Sequence, residues 1–302
     1  MSTADPRLAG ALTGVSGILV TPFDGDDRIA PKRLAPIVDR AVSAGVDILV
    51  TNGNTGEFYA LTTAEAEAMA HAAAEHVAGR VPLVAGVGRG LHDALALART
   101  SRKAGATALM VHQPPDPFVS PRGVVGYVER IAEAGQGLPV LLYLRDDGIG
   151  LDTIRTLCAV PGVVGIKWAC PTPLRLGEAI AQSDPALVWV GGLAETWAPP
   201  FYAVGARGFT SGLINVWPEH SVAINRALEA GDYARANALI RAMSVFEALR
   251  AEERNGANVS VVKAALRLMG QDCGPPRPPA AWPLTTGAET ALRGLMAEWK
   301  LV

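Results

Sequence analysis

The chain has 302 residues, nearly half of them hydrophobic, with 27 basic and 29 acidic side chains. A net charge of −2 and the lack of any basic run argue against nucleic acid as a partner. No apolar stretch approaches the roughly 18 residues that a membrane helix needs. The stretch from Met1 to Leu12 lacks the apolar centre of a secretion signal, and the widely spaced Cys158, Cys170 and Cys273 form no CxxC pair, so the expectation is a cytoplasmic protein with reduced thiols.

Along the chain, short runs rich in Val, Ile and Leu alternate with longer Ala-rich stretches at helical spacing. The runs fall at 15–21, 46–52, 81–87, 108–112, 139–143, 163–168, 187–190 and 208–213. Helical patterns between them include 33–44, 64–78, 91–104, 124–134 and 152–158. Thr62 or Thr63, ahead of Ala64-Glu65-Ala66-Glu67, supplies a capping hydroxyl with acids in the first turn. The runs are apolar throughout rather than alternating, which suits parallel strands covered on both faces. Eight such units predict an α/β fold, a closed (β/α)8 TIM barrel. An open doubly wound sheet is the competing architecture, but it would usually carry a GxGxxG phosphate loop after an early strand, and none stands there.

After the eighth run the pattern is helical only, at 219–230, 233–251 and 259–269. The proline-rich 273–283 must be an extended connector, and a last helix follows at 288–299. The expected organisation is a barrel over 12–216, with 217–302 adding the last barrel helix and a helical appendage in the same structural unit. No flexible linker separates the two.

In a barrel, function sits at the carboxyl ends of the strands. The second run is followed by Asn52-Gly53-Asn54-Thr55-Gly56-Glu57-Phe58, a tight turn able to aim backbone N–H groups at an anion, or simply an ordinary strand-to-helix turn. The fifth ends in Tyr143-Leu144-Arg145-Asp146-Asp147. Tyr143 can relay protons or fill the core. Arg145 can grip a carboxylate at two points or pair on the surface with Asp146 or Asp147. The seventh run ends at Gly191-Gly192, and the eighth gives Thr210-Ser211-Gly212 and then Asn215; small residues here leave room for a ligand. Ser211 and Asn215 could reach substrate hydroxyls or cap the following helix. His71, His76, His92 and His220 read as helix-face or loop residues, while His112 stands at a strand end. No HExxH or carboxylate cluster points to a metal.

The sixth run, Val163-Val164-Gly165-Ile166-Lys167-Trp168-Ala169, sets a lysine among aliphatic residues. Of the five lysines, Lys32, Lys103, Lys263 and Lys300 fall in helical segments or the tail, and Lys167 alone is in a β-type run. Desolvation disfavours an ammonium and leaves a usable amine near neutral pH, the condition for attack on a ketone. A strand-end lysine that snorkels to water would look the same. Trp168 should point the other way, into the layer between barrel and helices.

Taken together, these residues resemble the dihydrodipicolinate synthase/N-acetylneuraminate lyase superfamily. The stretches that carry the likeness are Gly17-Ile18-Leu19-Val20-Thr21-Pro22-Phe23, Gly53-Asn54-Thr55-Gly56-Glu57, Leu141-Leu142-Tyr143 and Gly165-Ile166-Lys167, in order and spacing from about residue 12 onwards. The resemblance implies that Lys167 forms a Schiff base with a 2-oxo acid and that no cofactor is needed beyond that covalent imine. It implies that the Asn54-Thr55 turn holds the acid's carboxylate, that Tyr143 moves protons with help from the Thr55 hydroxyl, and that the chain assembles as a homodimer or homotetramer. Within the superfamily, the synthase has a Thr-Thr pair where this chain has Asn54-Thr55. It also has tyrosines where this chain reads His112-Gln113-Pro114-Pro115-Asp116-Pro117-Phe118, and an arginine where Gly148 stands. The 5-dehydro-4-deoxyglucarate dehydratases are more similar, at Thr55-Gly56-Glu57-Phe58-Tyr59-Ala60-Leu61-Thr62, at Tyr143-Leu144-Arg145-Asp146, and from Arg254-Asn255 to Val259-Ser260-Val261-Val262-Lys263-Ala264. Leu144 departs from them, since an Asn is usual there.

The expected function is therefore a Schiff-base lyase on a 2-oxo acid, with a sugar-acid dehydratase favoured over a pyruvate-dependent aldolase. Two readings compete with it: a metal- or phosphate-dependent barrel enzyme that cradles phosphate on Gly191-Gly192 and Ser211-Gly212, and a non-catalytic relative that only binds a keto acid.

Overall fold

The computed structural model describes residues 6–302; residues 1–5, the start of the stretch read as lacking a secretion signal, lie outside the described residues. Eight parallel strands close on themselves in sequence order: β1 (Val15–Ile18), β2 (Ile48–Thr51), β3 (Leu83–Val87), β4 (Ala108–His112), β5 (Val140–Leu144), β6 (Val163–Trp168), β7 (Val188–Gly191) and β8 (Phe209–Ser211). Around them run α2 (Ala35–Ser43), α3 (Thr63–Val77), α4 (Leu91–Ala104), α5 (Pro121–Ala134), α6 (Leu151–Cys158), α7 (Pro173–Ala181), α8 (Ala198–Ala203) and α9 (Pro218–Glu229), preceded by α1 (Pro6–Leu12). The chain ends in α10 (Tyr233–Asn255), α11 (Asn258–Leu268) and α12 (Thr286–Glu298). This is the expected (β/α)8 barrel with C-terminal helices.

The apolar runs divide their side chains between two cores. Ile18, Ile48, Val50, Val84, Met110, Leu141 and Val190 fill the barrel interior, and Leu8 and Leu12 of α1 join them. The alternate residues, such as Leu49, Val111, Leu142, Ile166 and Trp168, pack outwards against the helices, in a cluster that continues into α10, α11 and α12 through Phe246, Leu266 and Leu292. Trp168 lies 6.1 Å from Trp189 in this outer layer, as the alternation requires.

Four of the strands, β1, β2, β3 and β8, are shorter than their apolar runs. The eighth run ends as a strand at Ser211, and 213–215 is a 3-10 turn. Apolarity continues past strand ends because these loops are buried too: Leu19, Leu213 and Ile214 are almost fully covered. α3 starts where the capping signal lies, with Thr62 accepting from the Glu65 N–H at 3.2 Å and Glu65 reaching back to the Thr62 N–H at 2.8 Å. α8 has only six residues, with two prolines in its first turn, which is too short for a periodic pattern to show.

Two local irregularities aim the chain at the barrel mouth. In β6 the register slips, with Val163 opposite Val140 and Gly165 opposite Leu141, so Val164 is an extra, bulged residue. The bulge reverses the parity of the strand and puts Lys167 opposite Tyr143, on the inner face. In α10 the helix breaks near its end, and Glu253, Arg254 and Asn255 all adopt positive φ, at 51°, 58° and 67°. Non-glycine residues there are strained, and such strain gathers at functional sites. The turn directs Asn255 and Asn258 towards the same mouth.

Candidate active site

A cavity of about 360 Å³ opens at the carboxyl end of the barrel. Lys167 lies at its edge, only 4% exposed, with Nζ 3.9 Å from the centre of the Tyr143 ring. Among the described residues no carboxylate pairs with it. Burial, and then the charge of Arg145, hold its amine down to about 7 from the usual 10.5. Lys263 is equally buried, a fact its helical setting conceals, but its Nζ meets Glu57 Oε1 at 2.6 Å. Two buried lysines thus differ in their partners: one is paired with an acid, and the other faces the cavity with no carboxylate paired to it among the described residues.

The turn after β2 is built to offer its backbone. The Gly56 and Phe58 N–H groups donate to the Gly53 carbonyl at 3.0 and 3.3 Å, and Glu57 N–H donates to the Asn54 carbonyl at 3.0 Å. The N–H groups of Asn54 and Thr55 donate to no other described residue, and both residues line the cavity. Glu57, in the left-handed region at φ 56°, holds the turn from behind: one carboxylate oxygen meets Lys263 and the other accepts from Arg277 N–H at 2.7 Å. Gly53 does not line the cavity. It lies against Ile18, whose Cγ2 would be 2.5 Å from any added Cβ.

Tyr143 is buried, and burial pushes its phenol well above its ordinary range, so the proton stays on. Its oxygen accepts from Asn54 Nδ2 at 2.9 Å, a partner different from the expected Thr55 hydroxyl. Beside it, His112 stacks on Phe58 with ring centres 4.5 Å apart. Burial, then Lys167, hold this imidazole down to about 3. Its Nε2 lies 3.0 Å from the Asn52 carbonyl, which can only accept, so Nε2 carries the proton and Nδ1 receives the Tyr59 hydroxyl at 3.3 Å. Arg145 Nη2 donates to that same hydroxyl at 3.1 Å. Asp146 is occupied with the Gly148 N–H and Asp147 with the Thr172 hydroxyl. Arg145 therefore has no carboxylate partner among the described residues, and its buried Nε has no partner at all.

The sequence signature of the Dihydrodipicolinate synthetase family matches residues 11–298. The chain belongs to the dihydrodipicolinate synthetase family. It is similar to a probable 5-dehydro-4-deoxyglucarate dehydratase of Rhizobium rhizogenes, at 31% identity over 88% of this chain and 89% of that one. A second such protein, from Streptomyces avermitilis, is 34% identical over 92% and 85%. Among solved structures, the dihydrodipicolinate synthase of Bacillus clausii superposes with a TM-score of 0.92 at 35% identity, covering 97% of this chain and 99% of that one. The protein is accordingly an enzyme, a lyase of this family.

In this family member, the cavity brings together Lys167, Tyr143, Asn54, Thr55, Arg145, Gly192 and Thr210. Besides Gly53, two expected substrate contacts do not reach it. Ser211 Oγ lies 3.0 Å from Ser221 Oγ and accepts from Ile214 N–H, and Ser221 donates to the buried Glu195. Asn215 is wholly buried as a staple, donating to the Ile18 and Gly212 carbonyls and accepting from Val20 N–H. Neither caps the helix at Pro218: Ser211 is tied to Ser221 within α9 and to the turn that follows β8, and Asn215 ties that turn to β1 and the segment after it. Gly191 and Gly192 mark close packing, with an added Cβ meeting Phe201 at 2.9 Å and the Trp168 carbonyl at 2.8 Å respectively. The cavity also has lining residues that no motif flagged: Glu247 and Arg250 of α10 and Asn258 of α11. Glu247 and Arg250 sit in a helix whose sequence signals only packing, while Asn258, like the neighbouring Asn255, falls within the 254–264 stretch that carries the family likeness. Among the described residues, no helix is long and apolar enough to cross a membrane.

Proposed function

We propose that this lyase works through an imine on Lys167 and dehydrates a sugar-derived 2-oxo acid such as 5-dehydro-4-deoxyglucarate. The observation that carries the reading is the buried, acid-free amine of Lys167 in a cavity shared with an anion-binding turn and an unpaired guanidinium. The amine attacks the keto carbon, and loss of water leaves a protonated imine. That imine is an electron sink, so the proton on the neighbouring carbon becomes acidic. A water held by Tyr143 takes it, the hydroxyl one carbon further leaves as water with the phenol proton of Tyr143, and the proton held by the first water then restores the phenol. Hydrolysis of the imine returns the amine. The free N–H groups of Asn54 and Thr55 suit the carboxylate next to the keto group, and Arg145 suits a distal carboxylate.

A condensation of pyruvate with an aldehyde shares the same imine, and the likeness to dihydrodipicolinate synthases at 35% identity favours it as the second reading. Against it stand Gly148, where the synthase has an arginine, and the tyrosine-free stretch 112–118. Our reading also includes a cytoplasmic setting, no cofactor beyond the covalent imine, and assembly as a dimer or tetramer. Turnover of 5-dehydro-4-deoxyglucarate, set against pyruvate plus aspartate semialdehyde, separates the two reactions. The first substrate should turn over at least tenfold faster in kcat/KM, and the reverse order would replace our reading with the second.

A further inference from the structure

The cavity has two kinds of polar wall. Arg145 presents a charge that no described acid cancels. The wall formed by α10 and α11 is different. Arg250 is 5% exposed and held through three of its five N–H groups: Nη1 donates to Glu247 Oε1 at 2.5 Å, Nη2 to Asn258 Oδ1 at 3.0 Å, and Nε to the Asn258 carbonyl at 3.4 Å. Its charge is balanced by Glu247, and the second oxygen of that carboxylate accepts from no described residue. The wall is pressed against the barrel mouth. An added Cβ on Gly212, at the end of β8, would stand 2.5 Å from Arg250 Nη2 and 3.2 Å from Thr55 Oγ1. The guanidinium therefore sits close beside the turn that we assign to the keto acid.

A locally neutral wall with a fixed carboxylate acceptor and fixed amide and guanidinium donors is poorly matched to a carboxylate, which Glu247 would repel. It is equally poorly matched to a bare methylene chain, which would strip water from these groups and return nothing. A hydroxyl can donate to Glu247 and accept from its neighbours at once. We propose that Glu247, Arg250 and Asn258 form a hydroxyl-recognition subsite, which selects acids bearing hydroxyls along the carbon chain over their deoxy counterparts. The proposal rests on reading this cavity as the 2-oxo acid site, but it does not require the imine.

Binding of two non-reacting six-carbon dicarboxylates, glucarate and adipate, tests it by calorimetry, since neither can form an imine. The wild type should bind glucarate about 10- to 100-fold more tightly than adipate, and Glu247→Ala should reduce that ratio by about tenfold or more. The ratio is internal to one sample, so a partly unfolded variant does not mimic the effect. Gly212→Ala, which pushes the guanidinium away from outside the triad, should lower the ratio as well. The proposal is overturned if wild type binds adipate as well as glucarate, if glucarate binding is undetectable at millimolar concentration, or if both variants keep the wild-type ratio. Glucarate selectivity without a borohydride-trapped imine would leave the subsite standing and remove the Lys167 mechanism; an imine without selectivity would do the opposite.

Discussion

At the residue scale, the chemistry depends on what a buried charge is given for company. Lys167 has no acid, and its amine is held down to about 7. Between that value and the unfolded 10.5 the native chain binds fewer protons than the unfolded one, so stability rises with pH across this window, and the penalty is complete below about 7. Lys167→Met should therefore abolish turnover and yet raise stability at pH 7 by about 1–3 kcal/mol, read from urea unfolding. A loss of stability would show that the ammonium is satisfied in a way the geometry does not contain. The same shift fixes a pH profile. The rate of pyruvate capture should climb about tenfold per pH unit below 7 and level off above it. Tyr143→Phe should lower kcat by about 100-fold or more, with a smaller change in KM, because the phenol's proton is what is removed.

At the scale of elements, the order of the apolar runs made eight strands readable, since fully apolar runs separated by helices have few other solutions. The bulge in β6 was not readable. Gly165 hints at an irregular strand, but nothing in the sequence says which residue is extra. Without that extra residue Lys167 would face the helices. The placement of Ser211 and Asn215 was equally hidden, because a serine and an asparagine that tie buried segments together are the types that also bind hydroxyls. The reach of α10 and α11 into the cavity depends on a break at 252–255 that no proline or glycine within it announces. The Lys263–Glu57 pair joins α11 to the turn after β2. Lys263→Met would leave Glu57 buried without its cation and should cost about 3–5 kcal/mol of stability in denaturant unfolding. A cost below about 1 kcal/mol would mean that the turn is held by Arg277 and its other contacts alone.

At the scale of the whole molecule, the outer core runs without interruption from the barrel helices into α10, α11 and α12. The appendage is thus a wall of the site as well as a cover for the barrel, which explains why composition and patterning recovered the fold more fully than the pocket. The central claim concerns a single nitrogen, and the most direct measurement is borohydride reduction in the presence of pyruvate followed by peptide mass analysis. The account predicts one irreversible adduct on the peptide containing Lys167 and none in Lys167→Arg. An adduct on Lys263 or another lysine, no adduct at all, or full turnover by Lys167→Arg would contradict it.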